Sequence, residues 1–166
     1  MEIDTPLRLY LVFFLFWGLV FFTTSEAGLF SLGRLNLQKF KEEGHPRYSL
    51  MERLLHHPRR LIITLLIGNE IFTIALSSLI SAVFISLWGE TAKWAAIPVI
   101  VLLILLPGEV IPKTLAMLFP EKVSPAVAPW VDRFGRAIKL LVDLLITIVD
   151  GLLRLFGVGT ETGVPS

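Results

Sequence analysis

The chain has no cysteine and only three histidines, His45, His56 and His57, in 166 residues. The first absence excludes disulfide frameworks, cysteine-rich zinc sites, iron–sulfur clusters and thiol nucleophiles. The second leaves almost no nitrogen donors for a buried soft-metal site, because all three histidines fall in the most charged segment. Charge is sparse as well: Asp, Glu, Lys and Arg make up 17%, and 15 basic against 14 acidic residues give a net charge of +1. That balance supplies no basic field to hold nucleic acid, which is not an expected partner. There is no glycine-rich phosphate loop, no His-Glu-x-x-His and no Gly-x-Ser-x-Gly, so ATP hydrolysis, zinc proteolysis and α/β-hydrolase chemistry have no motif to rest on. No enzyme activity is expected.

What the chain has in quantity is apolar residues, 54% of the total with a mean hydropathy of +0.74, which belongs in a lipid bilayer. Three blocks are long enough to cross one. The first, Leu9–Phe22, carries no charge and reaches bilayer length with its flanks. Its acidic N-terminal side (Glu2, Asp4) and its continuation into TTSEAGLFSL argue for a retained span over a cleaved signal peptide. The second runs from Leu61 to Leu87. The third runs from Trp94 to about Phe119, interrupted by Pro98, Pro107-Gly108 and Pro112. Only Leu87–Lys93 joins the last two, which makes them a helical hairpin. Seven basic residues lie between Arg34 and Arg60, against Lys93 alone in the second loop. The positive-inside rule therefore puts the long loop and the C-terminus in the cytoplasm and the N-terminus outside.

From Val123 to Phe156 the pattern is helical with charges at 132, 136, 139, 143, 150 and 154, one polar stripe on a helix lying along an interface. The pairs Asp132–Arg136, Lys139–Asp143 and Asp150–Arg154 are spaced to attract one another. The predicted fold is an all-α membrane protein of three transmembrane helices, the third broken, with a C-terminal amphipathic juxtamembrane belt helix. Residues 1–156 form that domain, and 157–166 read as a linker stub to an absent cytoplasmic region.

Function is argued from polar groups within the spans, which are expensive in lipid and mark pathways. One cluster is Thr23-Thr24-Ser25-Glu26. A second is Gly68-Asn69-Glu70, followed by Thr73, Ser77, Ser78 and Ser81. The third is Pro107-Gly108-Glu109 with Pro112-Lys113. Pro112 has no N–H, so in a regular helix it leaves the Gly108 carbonyl without a donor, beside the Glu109 carboxylate. Ser25, Asn69, Glu109 and the backbone near Gly68 and Gly108 thus offer an all-oxygen set suited to Mg²⁺, Ca²⁺ or Na⁺. Glu26, Glu70 and Ser78 are candidates for coupling-ion or pathway positions, and Pro112 and Lys113 for structural roles at the site. Against this stand simpler readings: Glu109 and Lys113 neutralising each other at i,i+4, and Asn69 and the serines acting as interhelical glue.

The segments FFTTSEAGLFSLGRLNLQKF, HHPRRLIITLLIGNEIFTIALSSL and LLPGEVIPKTLA resemble, in order and approximate spacing, the transmembrane domain of the CNNM/CorC (cyclin M) family of magnesium transport proteins. The resemblance covers about residues 6 to 156. It implies a homodimer in the plasma (inner) membrane and export of Mg²⁺ in exchange for Na⁺, with Mg²⁺ held among Ser25, Asn69 and Glu109. It also implies a nucleotide-binding CBS region in the full-length chain, which these residues do not contain. A membrane scaffold that regulates another transporter and a passive divalent-cation channel are the alternatives.

Overall fold

The computed structural model describes residues 5–156, which are helical almost throughout; the expected linker, 157–166, lies outside them. Three helices are long and apolar enough to cross a membrane: Pro6–Ser31, Pro58–Trp88 and Glu90–Leu118. Fewer than a fifth of the residues in the most apolar window of each are buried, so their apolar side chains face outward. Phe13, Phe14 and Trp17 on the first helix, Ile74 on the second and Leu102 on the third are all more than half exposed. A surface of this kind is stable only against hydrocarbon.

Helix α1 (Thr5–Ser31) runs unbroken through the polar TTSEAG stretch. It is the central element, packing against all the spans and against the later helix α7 (Pro120–Ala137). The basic segment that follows is not an irregular loop. It folds into α2 (Arg34–Glu42) and α3 (Tyr48–His56), turning at Gly44, whose φ of 63° favours glycine. Apolar residues at helical spacing drive this: Phe40 and Met51 are buried in one cluster with Phe22, Leu29, Leu61, Leu65 and Val131. On α3 the Tyr48 phenol donates to the Glu52 carboxylate, a bond that raises the phenol above its ordinary pKa.

Helix α4 (Pro58–Trp88) begins with proline in its first turn, where no intrahelical donor is lost, and ends at Gly89 with φ of 82°. A single 3₁₀ turn, Glu90–Ala92, leads into α5 (Lys93–Leu103), which confirms a tight hairpin. A second cluster, Leu19, Leu76, Ile80, Ala96 and Ile100, joins α1 to both arms. The third span is not interrupted at Pro107-Gly108 as expected. It stays helical and widens to a π-helical stretch, Ile104–Val110, before α6 (Ile111–Leu118). One extra residue per turn absorbs the two prolines without opening the helix.

The single helix expected from Val123 to Phe156 is instead two, α7 and α8 (Lys139–Leu155), with the chain leaving helical geometry at Ile138 (φ −99°, ψ 17°). Their partners differ. Helix α7 buries Ser124, Val127, Ala128 and Val131, an i, i+3, i+4, i+7 stripe, in contact with α1 and α3, whereas α8 packs on α4. Of the expected i,i+4 pairs, Asp132–Arg136 forms at 2.9 Å and Lys139–Asp143 does not, while the Arg154 side chain of the third lies outside the described residues. Asp143 is taken by Arg60 at 2.9 Å and Asp150 by Arg59 at 2.6 Å, so both carboxylates tie α8 to the start of α4.

Candidate cation site within the spans

Side-chain bulk on α1 meets the absence of side chains on its partners. A Cβ on Gly68 would lie 2.2 Å from Phe22 Cε1, and one on Gly108 would lie 3.0 Å from Leu19 Cδ2. The two glycines therefore let α4 and the π-helical stretch close on the same two turns of α1. Between them, at the same level, Thr23 Oγ1 donates to Asn69 Oδ1 at 3.1 Å. Ser25 is fully buried two residues further on, and its hydroxyl donates to the Phe21 carbonyl at 2.7 Å. Polar segments from all three spans thus come together around residues 19–25.

The donors differ in state. Asn69 Oδ1 is fixed by the Thr23 hydroxyl and keeps a second lone pair, and the Ser25 oxygen keeps acceptor capacity after donating its proton. Gly68 lies inside the uninterrupted α4, where the helix supplies its carbonyl with a donor. Gly108 lies in the π-helical stretch, where the Ile111 N–H reaches back five residues to the Leu106 carbonyl. Pro112, buried beside it, has no N–H, leaving unsupplied the carbonyl of Gly108 in α register or of Pro107 in π register. Thr73, one turn beyond Asn69, has a buried hydroxyl with no hydrogen-bond partner.

Glu109 is half-buried and is not held by Lys113, the simplest neutralising partner four residues on. Lys113 instead reaches across to Glu26 on α1 at 3.3 Å. That pair flanks an open groove of about 410 Å³ between α1, α4 and α6, lined also by Ser31, Phe30, Ile62 and Met117. Among the described residues Glu109 joins no ion pair or side-chain hydrogen bond. Glu70 and Ser78 are exposed on α4, and no hydrogen bond links either to another span. No three His, Asp or Glu side chains cluster among the described residues, so the arrangement is one carboxylate with neutral oxygens, not a carboxylate cage. Thr23 is the participant that sequence reasoning left out of the ligand set; its place in the TTSE run, two residues before Ser25, was the available signal.

The Cyclin M transmembrane N-terminal domain matches residues 10–165. The UPF0053 inner membrane protein YfjD of Escherichia coli is 34% identical over 141 residues, covering 85% of this chain and 33% of that protein. A UPF0053 protein of Haemophilus influenzae is 32% identical over 104 residues, 63% of this chain and 25% of its own length. The polyamine export protein of the same organism is 29% identical over 159 residues, 87% of this chain and 37% of its own. The chain thus spans about a third or less of the curated relatives that lead these matches.

Proposed function

The chain belongs to the cyclin M family as its transmembrane domain, and from that premise we propose that it exports Mg²⁺ from the cytoplasm in exchange for Na⁺, as a homodimer. What supports this reading is the Thr23–Asn69 hydrogen bond between the first two spans, with Ser25 buried two residues further on and Gly108 of the π-helical stretch, next to Glu109, packed on Leu19 about a turn earlier. A hard cation prefers oxygens, and Mg²⁺ keeps several of its waters, so one carboxylate with two or three neutral oxygens suits a partly hydrated ion. Among the described residues Glu109 has no cationic partner to compete with it. The Glu26–Lys113 pair at the groove would be the group to exchange partners with a coupling ion.

Export needs a driving source. Moving two charges outward against 100 mV costs about 4.6 kcal/mol, and without a nucleotide motif an inward Na⁺ gradient is the available supply. A second cargo class is favoured by one relative, whose name is polyamine export protein: an extended multivalent ammonium ion would use the same carboxylate as a charge partner.

Proteoliposomes holding the purified protein decide the matter. Mg²⁺ efflux that rises with an opposing Na⁺ gradient is the expected result. Flux that ignores Na⁺ would make the protein a channel, and spermidine flux without Mg²⁺ flux would move the assignment to polyamines. Neither flux nor binding of either cation would leave the scaffold role.

A further inference from the structure

A dense cluster of charge lies away from the candidate site within the spans. Helices α3, α4, α7 and α8 enclose a pocket of about 310 Å³ whose rim carries Arg53, Arg60, Arg136 and Lys139. One carboxylate, Asp132, lies in the lining, bonded by Arg53 at 3.1 Å and Arg136 at 2.9 Å. Asp143 neutralises Arg60 from outside the pocket at 2.9 Å. Four cations against these two carboxylates leave a surplus of two positive charges, and Lys139 has no ion-pair partner among the described residues. The floor is of another character: Leu61, Thr64 and Val131 are all buried.

A pocket with a cationic rim and an apolar floor fits an amphiphilic anion better than a free one, and its position gives the reason. His57 to Thr64 are the start of a membrane-spanning helix. Seven residues of helix climb about 10 Å, close to the roughly 5–8 Å that headgroups occupy on each side of the hydrocarbon. Around the pocket, Leu140 of α8 is 88% exposed, and Trp130 of α7 is 59% exposed with the Arg133 guanidinium 5.2 Å from its ring. Exposed leucine and a Trp–Arg pair are side chains of the lipid–water boundary.

We propose that this pocket binds the phosphate headgroup of an anionic phospholipid, with Arg60, Arg136 and Lys139 contacting the phosphate oxygens and the glycerol end lying toward Leu61 and Val131. In the absence of lipid Asp132 holds Arg53 and Arg136 in place and Asp143 holds Arg60, and the bound headgroup neutralises the charge that remains. The inference is independent of which ion the protein carries.

The test is thermal unfolding of the purified protein in detergent, titrated with a short-chain phosphatidylglycerol, with phosphatidylcholine of the same chain length and with inorganic phosphate. Phosphatidylglycerol is expected to raise the midpoint saturably and the other two to leave it unchanged. Lys139→Gln removes a cation that makes no ion pair among the described residues, and is expected to weaken the phosphatidylglycerol response at least tenfold, with Lys139→Arg restoring it. Arg133→Gln, outside the pocket, is expected to respond as the wild type does. Equal shifts with phosphatidylcholine would overturn the proposal, and so would an undiminished response in a folded Lys139→Gln protein. An equal response to inorganic phosphate would make this a site for the free anion and overturn the lipid assignment.

Discussion

Glu109 is the one acidic side chain between Trp94 and Phe119, and its neighbourhood is unusual in what it withholds. The nearest cation in sequence, Lys113, is committed to Glu26. A carboxylate left without a partner near membrane depth is costly unless a cation arrives to share the site. Glu109→Gln keeps volume and a neutral oxygen while removing the charge, and is expected to weaken Mg²⁺ binding at least tenfold, about 1.4 kcal/mol, with thermal unfolding little changed. Calorimetric Mg²⁺ titration of the variant checks it. Undiminished affinity in well-folded protein would remove Glu109 from the ligand set. The Glu26–Lys113 pair also changes the meaning of a double substitution: Glu109 with Lys113 should behave additively, since the two do not interact, whereas Glu26 with Lys113 should not.

At the scale of elements, α1 is held by what its neighbours lack. Phe22 lies on Gly68 and stacks with Phe72 at 5.5 Å between ring centres, while the Phe72 ring lies over Gly18. The glycines and phenylalanines of α1 and α4 are therefore reciprocal, each helix supplying a gap for the other's ring. Gly68→Ala places a methyl where Phe22 now sits and is expected to cost about 1–3 kcal/mol through displacement of the ring. Shortening the ring in a Phe22→Leu, Gly68→Ala double variant should recover part of that, which chemical or thermal unfolding in detergent would register. Full stability in the single variant would show that the helices separate freely there.

The continuity of α1 through TTSEAG was legible from polar residues arriving at a helical pace, and so were the three spans, from apolar length alone. The role of Gly68 was not legible, because a glycine beside Asn69 reads equally well as a carbonyl donor or as a packing gap, and only the partner ring decides. The cross-helix ion pairs escaped for a related reason. Asp143 has Lys139 four positions before it, and local spacing gave no sign that Arg60, more than 80 residues earlier in the chain, takes it instead, or that Arg59 reaches Asp150. The elbow at Ile138 is hidden in the same way: the polar stripe is continuous across it, and the bend follows from α7 seeking α1 while α8 is drawn to the arginines of α4.

Among the described residues most of the charges collect at one end of the molecule. Helices α2 and α3 join the end of α1 to the start of α4; α7 binds α1 where Ser124 donates to the Gly28 carbonyl at 2.8 Å, and α8 is bound to the first turn of α4 by Arg59 and Arg60. The opposite end holds the start of α1, with Arg8, and the hairpin, where Lys93 meets Glu90 at 3.8 Å. Cations near the ends of spans are retained on the cytoplasmic side during insertion, so the cationic end is expected to face the cytoplasm, with the hairpin and the N-terminus outside. The chain has no cysteine to remove, which makes single-cysteine labelling direct. Probes at Leu35, 81% exposed at the start of α2, and at Lys122, exposed near the start of α7, should be protected from a membrane-impermeant reagent in intact cells; a probe at Glu90 should react. Because the pairs between α8 and α4 fix the juxtamembrane helices to that end, reactivity at Lys122 with protection at Leu35 would break the packing described for α7 as well as the topology. Reversal of all three would keep the fold and overturn the expected orientation.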